Sequence, residues 1–182
     1  MNGFGTREAT DLNILVLSDS HGRSERVEQV LARQIRTPEA VVFLGDGLRD
    51  VINLDTHGAP LLSVSGNCDA FGFFGDFGAE KEIVMTLGGK RFLMTHGHEY
   101  GVKSGLGRIV AAAVEKDVDV VLFGHTHMAF EKRLPAGESE YGIPLKKPLY
   151  LFNPGSIGDY DASFGCVLVR ENGEIMLSHG SL

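Results

Sequence analysis

A chain of 182 residues, 43% hydrophobic and 23% charged, has the proportions of a globular protein long enough to bury its own core, and no stretch is apolar enough to span a bilayer. Its 17 basic and 24 acidic residues leave a net charge of −7, which argues against a protein that grips polynucleotide by neutralising phosphates. The two cysteines, Cys68 and Cys166, form no CxxC pair, so a disulfide scaffold and a zinc ribbon are set aside and a reducing compartment, the cytoplasm, is expected.

Residues 1–11, "MNGFGTREATD", mix charges without an apolar core and read as a flexible lead-in, with 12–182 forming one domain. "LNILVLSDSHG" (12–22) starts as the continuous apolar run of a strand covered on both faces and turns polar before Gly22. Val27, Val30, Leu31 and Ile35 then recur at helical spacing, and Pro38 closes a helix expected over 24–36. "AVVFLGDG" (40–47) reads as a second strand, 48–55 as a weaker helix and "PLLSVSGNCD" (60–69) as a third strand. The stretch "AFGFFGDFGAE" (70–80) has neither period and reads as a loop, with Phe71, Phe73, Phe74 and Phe77 available for packing, a cleft or a partner surface.

A hairpin is expected around Gly88-Gly89 within 82–98. Leu106, Ile109, Val110, Ala113 and Val114 mark a second amphipathic helix, which leads into the strand "VDVVLFGHTH". "PLYLFNPGS" continues as strand, and a last hairpin turns at Asn172-Gly173. This order predicts an α/β protein with parallel strands, a second sheet built partly from hairpins, and helices outside.

Each apolar run ends in a polar cluster: "SDSH" (18–21), "GDG" (45–47), "GNCD" (66–69), "THGH" (95–98) and "GHTH" (124–127). In open α/β sheets the carboxyl ends of strands are where ligands bind, so five clusters far apart in sequence are expected at one edge. They bring together the carboxylates of Asp19 and Asp46, the imidazoles of His21, His96, His125 and His127, and the amide of Asn67. Such an oxygen-and-imidazole set suits Mn, Fe, Co, Ni or Zn better than calcium or a thiolate-bound zinc. Seven donors exceed what one ion takes, but fit two ions about 3.5 to 4 Å apart that share a carboxylate, hold a hydroxide between them and polarise a phosphoryl oxygen. Asp46, flanked by glycines, is the natural bridge.

The pattern Asp19-Ser20-His21, Gly45-Asp46, Gly66-Asn67, His96-Gly97-His98 and Gly124-His125-Thr126-His127 resembles the calcineurin-like metallophosphoesterase family, in its small bacterial and archaeal phosphodiesterase branch. "NPGS" (153–156) also resembles that branch. The resemblance implies a four-layer α/β/β/α sandwich of two mixed sheets flanked by helices. It also implies one metal held by Asp19, His21, Asp46 and His127 and another by Asp46, Asn67, His96 and His125, with a small phosphodiester as substrate. Many larger members carry a histidine after the asparagine where this chain has Cys68, so help for the leaving group falls to Cys68, His98, a metal-bound water or none.

Other readings stand beside these. Asp19 or Asp46 could cap a following helix, a purpose Ser24 would serve better for the first, and Asn67 alone would be an ordinary turn residue. Asp69 reads as an acceptor behind the ligands or a turn former, Cys166 as a core residue, and His57 and His179 stand outside every cluster. Phosphomonoester or phosphoprotein hydrolysis is the nearest competing activity. A protein-binding scaffold is the competing class, because the retromer scaffold subunit of eukaryotes resembles this branch too. A homodimer is the expected assembly if the hydrophobic loop is exposed.

Overall fold

The computed structural model describes residues 11–69, 79–139 and 141–182. In β1 (Leu12–Leu17), Ile14 and Val16 face one way and Leu15 and Leu17 the other, and all four are fully buried. A strand covered on both faces has no use for polar alternation, which is why the run is continuous. After it, α1 (Ser24–Ala32) lays Val27, Val30 and Leu31 on the outward Leu15 and Leu17. The chain then pairs β2 (Ala40–Phe43) parallel to β1, and β3 (Leu61–Ser63) parallel to β2.

A second sheet begins with β4 (Glu82–Leu87) and β5 (Lys90–Thr95), joined through Gly88 and Gly89 at φ 55° and 75°, the left-handed values a two-residue turn requires. The helix α2 (Gly107–Glu115) covers the outer face of this sheet and leads into β6 (Val120–Phe123), parallel to β5. β7 (Ala129–Leu134) is followed by a short pair, β8 (Gly137–Glu138) and β9 (Pro144–Leu145), and then by β10 (Leu149–Pro154), which lies between β6 and β7. The closing hairpin, β11 (Ser163–Val169) and β12 (Ile175–Ser181), returns to the first sheet, with β11 antiparallel to β1.

The sheet orders are β12-β11-β1-β2-β3 and β4-β5-β6-β10-β7, both mixed. Ile14, Val16, Val42, Phe92, Met94, Leu122 and Phe152 fill the space between them. Separate apolar layers join α1 to the first sheet and α2 to the second, the latter through Ile109, Val110 and Ala113 against Val121 and Phe123. The architecture is the expected four-layer α/β/β/α sandwich.

Several local expectations are corrected. The first helix stops at Ala32, where the amides of Arg33 and Gln34 and the side chain of Gln34 bond back to carbonyls of the last turn, and Ile35 is fully exposed. Pro38 restricts Thr37 alone, and the helix ends well before it, so the apolar spacing that reaches Ile35 overstates the helix by its last turn. The expected 48–55 helix is a single 3₁₀ turn at Leu48–Asp50, and the third strand ends at Ser63. Val114 lies on the exposed side of α2, and Cys166 is half-buried. Residues 1–10 of the 1–11 lead-in and residues 70–78 of the Phe/Gly loop lie outside the described residues. Among the described residues no helix is long and apolar enough to cross a membrane.

Candidate metal centre

The polar clusters all follow strands that run the same way. Asp19 and His21 leave β1, Asp46 leaves β2 and Asn67 follows β3 in one sheet, while His96 leaves β5 and His125 and His127 leave β6 in the other. The two sheets face each other, so these ends converge. His127 Nε2 is 3.2 Å from Asp19 Oδ1 and 3.3 Å from His21 Nε2, and His96 Nε2 is 3.4 Å from Asp46 Oδ2 and 3.2 Å from Asn67 Oδ1. Three three-residue groups with the spacing of ligand atoms result among the described residues: Asp19, His21 and His127; Asp46, His96 and His125; and, between them, His21, Asp46 and Cys68. Asp46 Oδ2 also lies 4.0 Å from His21 Nε2, so this carboxylate faces both groups.

The hydrogen bonds behind the donors fix which atoms face inward. His96 Nδ1 is 2.7 Å from the carbonyl oxygen of Leu44, which can only accept, so Nδ1 keeps its proton; burial lowers the ring's pKa but Asp46 and Asp19 outweigh it and raise it, so it is Nε2 that exchanges its proton for an ion. His127 Nδ1 is 2.9 Å from Asp159 Oδ2, so there too Nδ1 keeps its proton. Asp19 Oδ2 accepts from Ser18 Oγ at 2.5 Å and the His125 N–H at 3.1 Å, whereas the fully buried Oδ1 has no hydrogen-bond partner. Lone pairs of nitrogen and carboxylate oxygen facing one another at these distances repel unless an electrophile stands among them. The donor set therefore fits divalent ions.

Charge in the centre is shaped by burial. Burial pushes the Asp19 carboxyl above its ordinary value despite the nearby imidazoles. For Asp46 the upward push of burial is outweighed by His96 and the Cys68 N–H, and its pKa falls well below the carboxylate range. Burial, His96 and Lys103 push His125 down to about 4, so its imidazole is neutral near pH 7.

The glycines of the motifs have a steric cause. A Cβ on Gly45 would lie 2.5 Å from the backbone nitrogen of Gly66, and one on Gly66 2.1 Å from Asp46 Oδ1. On Gly124 it would lie 2.0 Å from Ser18 Oγ and 2.8 Å from Asp19 Oδ2. The backbone is also strained here: Asp19, His21, Asp46, His125 and His127 all have φ between 47° and 67°. Non-glycine residues rarely adopt that region, and its concentration on the candidate ligands marks the site independently of their chemistry.

Around the donors, Asp69 accepts the N–H groups of Asp46, Gly47, Leu48 and Gly66 at 2.8 to 2.9 Å, so the cap proposed for Asp46 belongs to Asp69. Ser24 makes no cap either, since α1 starts after Arg23 without a side-chain cap. Cys68 is exposed beside Asn67, and burial of its thiol with the Asp46 carboxylate pushes its pKa up to about 11. His98 stands 5.4 Å from His96 and 6.1 Å from His125, ring centre to ring centre, with a buried Nδ1 that has no partner.

Three contributors were not singled out from the sequence. Asp159 holds His127 and sits on a loop whose carbonyls at Ile157, Gly158 and Asp159 are gathered by the Arg26 guanidinium. Asn153, fully buried, donates to the Gly124 carbonyl at 2.8 Å and to Thr126 Oγ1 at 3.0 Å, and Ser156 Oγ donates to the Asp19 carbonyl at 2.9 Å. The signal for Asn153 and Ser156 was the "NPGS" run; for Asp159 it was a further acidic residue just after that run. His179, left without a role, stacks on Phe152 and bonds the Asn153 carbonyl through Nε2. His57 pairs with Asp55 on the surface.

A set of carboxylates and imidazoles at the carboxyl edges of two facing sheets marks the chain as a candidate metal-dependent protein of the α/β class. Residues 12–173 match the calcineurin-like phosphoesterase superfamily domain, and the chain belongs to that family. It is 34% identical over 149 residues to the probable metallophosphoesterase YsnB of Bacillus subtilis, covering 80% of this chain and 75% of that one. A predicted phosphoesterase from Streptococcus pneumoniae shares the fold at TM-score 0.65 and 24% identity, over 94% of this chain and 98% of the other. Vps29 from Entamoeba histolytica, as a single mutant, does so at TM-score 0.68 and 22% identity, over 94% and 99%.

Proposed function

We propose that the protein is a dinuclear metal-dependent phosphodiesterase acting on a small phosphodiester in the cytoplasm, with Mn²⁺ favoured and Fe, Co, Ni or Zn accepted by the same donors. The observation that carries this reading is that two ligand groups meet at one carboxylate, Asp46, beside an unpaired buried oxygen of Asp19. Divalent ions bound there supply Lewis acidity to a phosphoryl oxygen and activate water as a nucleophile. The chain's own residues orient. Leu44 and Asp159 hold His96 and His127 in one tautomer, and Ser18 with the His125 N–H holds Asp19. His98 is placed to contact substrate. The Cys68 thiol, neutral with its pKa near 11, leaves the nucleophile's part to water.

The diester is favoured over the monoester on two grounds. No imidazole follows Asn67 to protonate a poor leaving group, and a net charge of −7 tolerates a singly charged ester better than a doubly charged one. The test is hydrolysis of a bis-aryl phosphate by protein stripped of metal and titrated with Mn²⁺, beside the corresponding monoester. Mn²⁺ is expected to restore activity, with the diester preferred about tenfold or more in kcat/KM. Asp46→Asn, which still accepts from the Cys68 N–H, should lose hydrolysis and keep its fold. Dominant monoester turnover would replace the diesterase assignment. Metal binding with no hydrolysis under any divalent ion would turn attention to the scaffold alternative, which the Vps29-like fold supports.

A further inference from the structure

Beside the metal centre, on the His125 side, lies a cavity of about 380 Å³ that the phosphoryl chemistry does not use. Its floor is Phe123 and Val102, both buried, and its walls are Leu106, Phe130 and the largely exposed Met128. The two loops that form it are those that carry the donors. Val102 follows the His96–His98 cluster and packs where a Cβ on Gly97 would stand, and Thr126 lies between His125 and His127.

An apolar recess with a 70% exposed methionine is costly to leave facing water unless something fills it. Lys103 is the one charged side chain among the lining residues, on the short turn Val102–Ser104 that follows the His96–His98 cluster. The recess thus sets a cation and an apolar hollow of the size of an aromatic ring system beside the loops that carry the candidate donors.

We propose that this cavity is a substrate subsite that takes one aromatic ester substituent of an anionic phosphodiester, with Lys103 at its rim beside the ester's negative charge. The proposal rests on the phosphodiesterase reading and adds the class of diester: aryl or nucleobase-like on one side, in preference to small alkyl diesters. Burying an aryl ring in place of a methyl group removes apolar surface worth roughly tenfold or more in affinity.

Binding is read apart from turnover. Methionine-methyl-labelled protein loaded with diamagnetic Zn²⁺ is titrated with dimethyl phosphate and with diphenyl phosphate, two singly charged diesters that differ only in their substituents. The Met128 methyl signal is assigned with Met128→Leu. Diphenyl phosphate is expected to bind about tenfold more tightly or better and to shift the Met128 methyl by ring current, and Met128→Glu should erase the difference. Equal affinities, or tight diphenyl phosphate binding without a Met128 shift, overturn the subsite. A Met128 signal that moves with protein concentration and not with ligand gives the face to a second copy of the chain and also overturns it. Hydrolysis of a bis-aryl phosphate under Mn²⁺ is scored separately. If it is absent while Met128 still reports selective aryl binding, the phosphodiesterase reading fails and the subsite stands; if it is present without that selectivity, the reverse holds.

Discussion

The residue whose role is easiest to underestimate is Asp159. Its carboxylate is 42% exposed, yet it sits 2.9 Å from His127 Nδ1 and so decides which ring nitrogen of that histidine faces Asp19. A partner of this kind behind a metal ligand is worth roughly 10 to 100-fold in metal affinity. Asp159→Asn is therefore expected to weaken Mn²⁺ binding by a factor in that range, read by calorimetric titration of the stripped protein; an unchanged affinity would remove Asp159 from the centre. The candidate donors could be picked out of the sequence because each lies in a polar cluster after a strand, and Asp46, Asn67 and His125 come directly after a glycine. Asp159 was not, because its position depends on the Arg26 guanidinium, 133 residues away, collecting the carbonyls of its loop. Ile35 shows the opposite failure: it keeps the helical spacing although the helix has ended at Ala32, and its side chain is fully exposed.

At the scale of elements, strands were the most readable parts, since β1, β2 and β6 are buried on both faces and their apolar runs have sharp polar ends. The pairing of strands was less so. The closing hairpin β11–β12 is clear in the residues around Asn172-Gly173, but its attachment to β1, at the other end of the chain, is set by which apolar faces meet. The glycines before the donors belong to this scale too, because they let strand ends pass at distances no Cβ permits. Gly124→Ala should displace Ser18 and Asp19, lowering both the melting temperature and the Mn²⁺ affinity, the latter about tenfold. Gly107→Ala, at the first residue of α2 with open space around it, should instead raise stability by about 0.5 to 1 kcal/mol and leave Mn²⁺ affinity unchanged. Equal effects of the two substitutions on metal binding would refute the steric account.

For the whole molecule, two carboxylates tie the second sheet to its surroundings. Glu82 on β4 accepts from Lys116 and from the Tyr100 hydroxyl, each at 2.6 Å, and Asp119 accepts from the Arg91 N–H and pairs with Lys147. Burial raises both pKa values, but these partners outweigh it and hold both below the ordinary range. Because the folded values lie below the unfolded ones, the stabilisation is complete above the unfolded pKa, about 4, and is lost as pH falls through the folded value. Urea unfolding at pH 7, 4 and 3 should show Glu82→Gln less stable than the parent at pH 7, with the gap narrowing as pH falls below the unfolded value. A difference that persisted undiminished at pH 3 would assign the loss to packing instead.

The donors are divided between the sheets, Asp19, His21, Asp46 and Asn67 on one and His96, His125 and His127 on the other. Neither half alone offers more than part of a coordination shell, so an ion finds its site only once the inner faces have closed on each other. It is a clasp fastened last. Metal should then slow the opening arm of a chevron plot and leave the refolding arm in place, since the barrier is crossed before the clasp exists. Stopped-flow unfolding with and without Mn²⁺ reads this directly, and a refolding rate that rose with the ion would mean that the two sheets meet early. The lifetime of the closed sandwich, more than its chance of forming, would then follow the supply of metal.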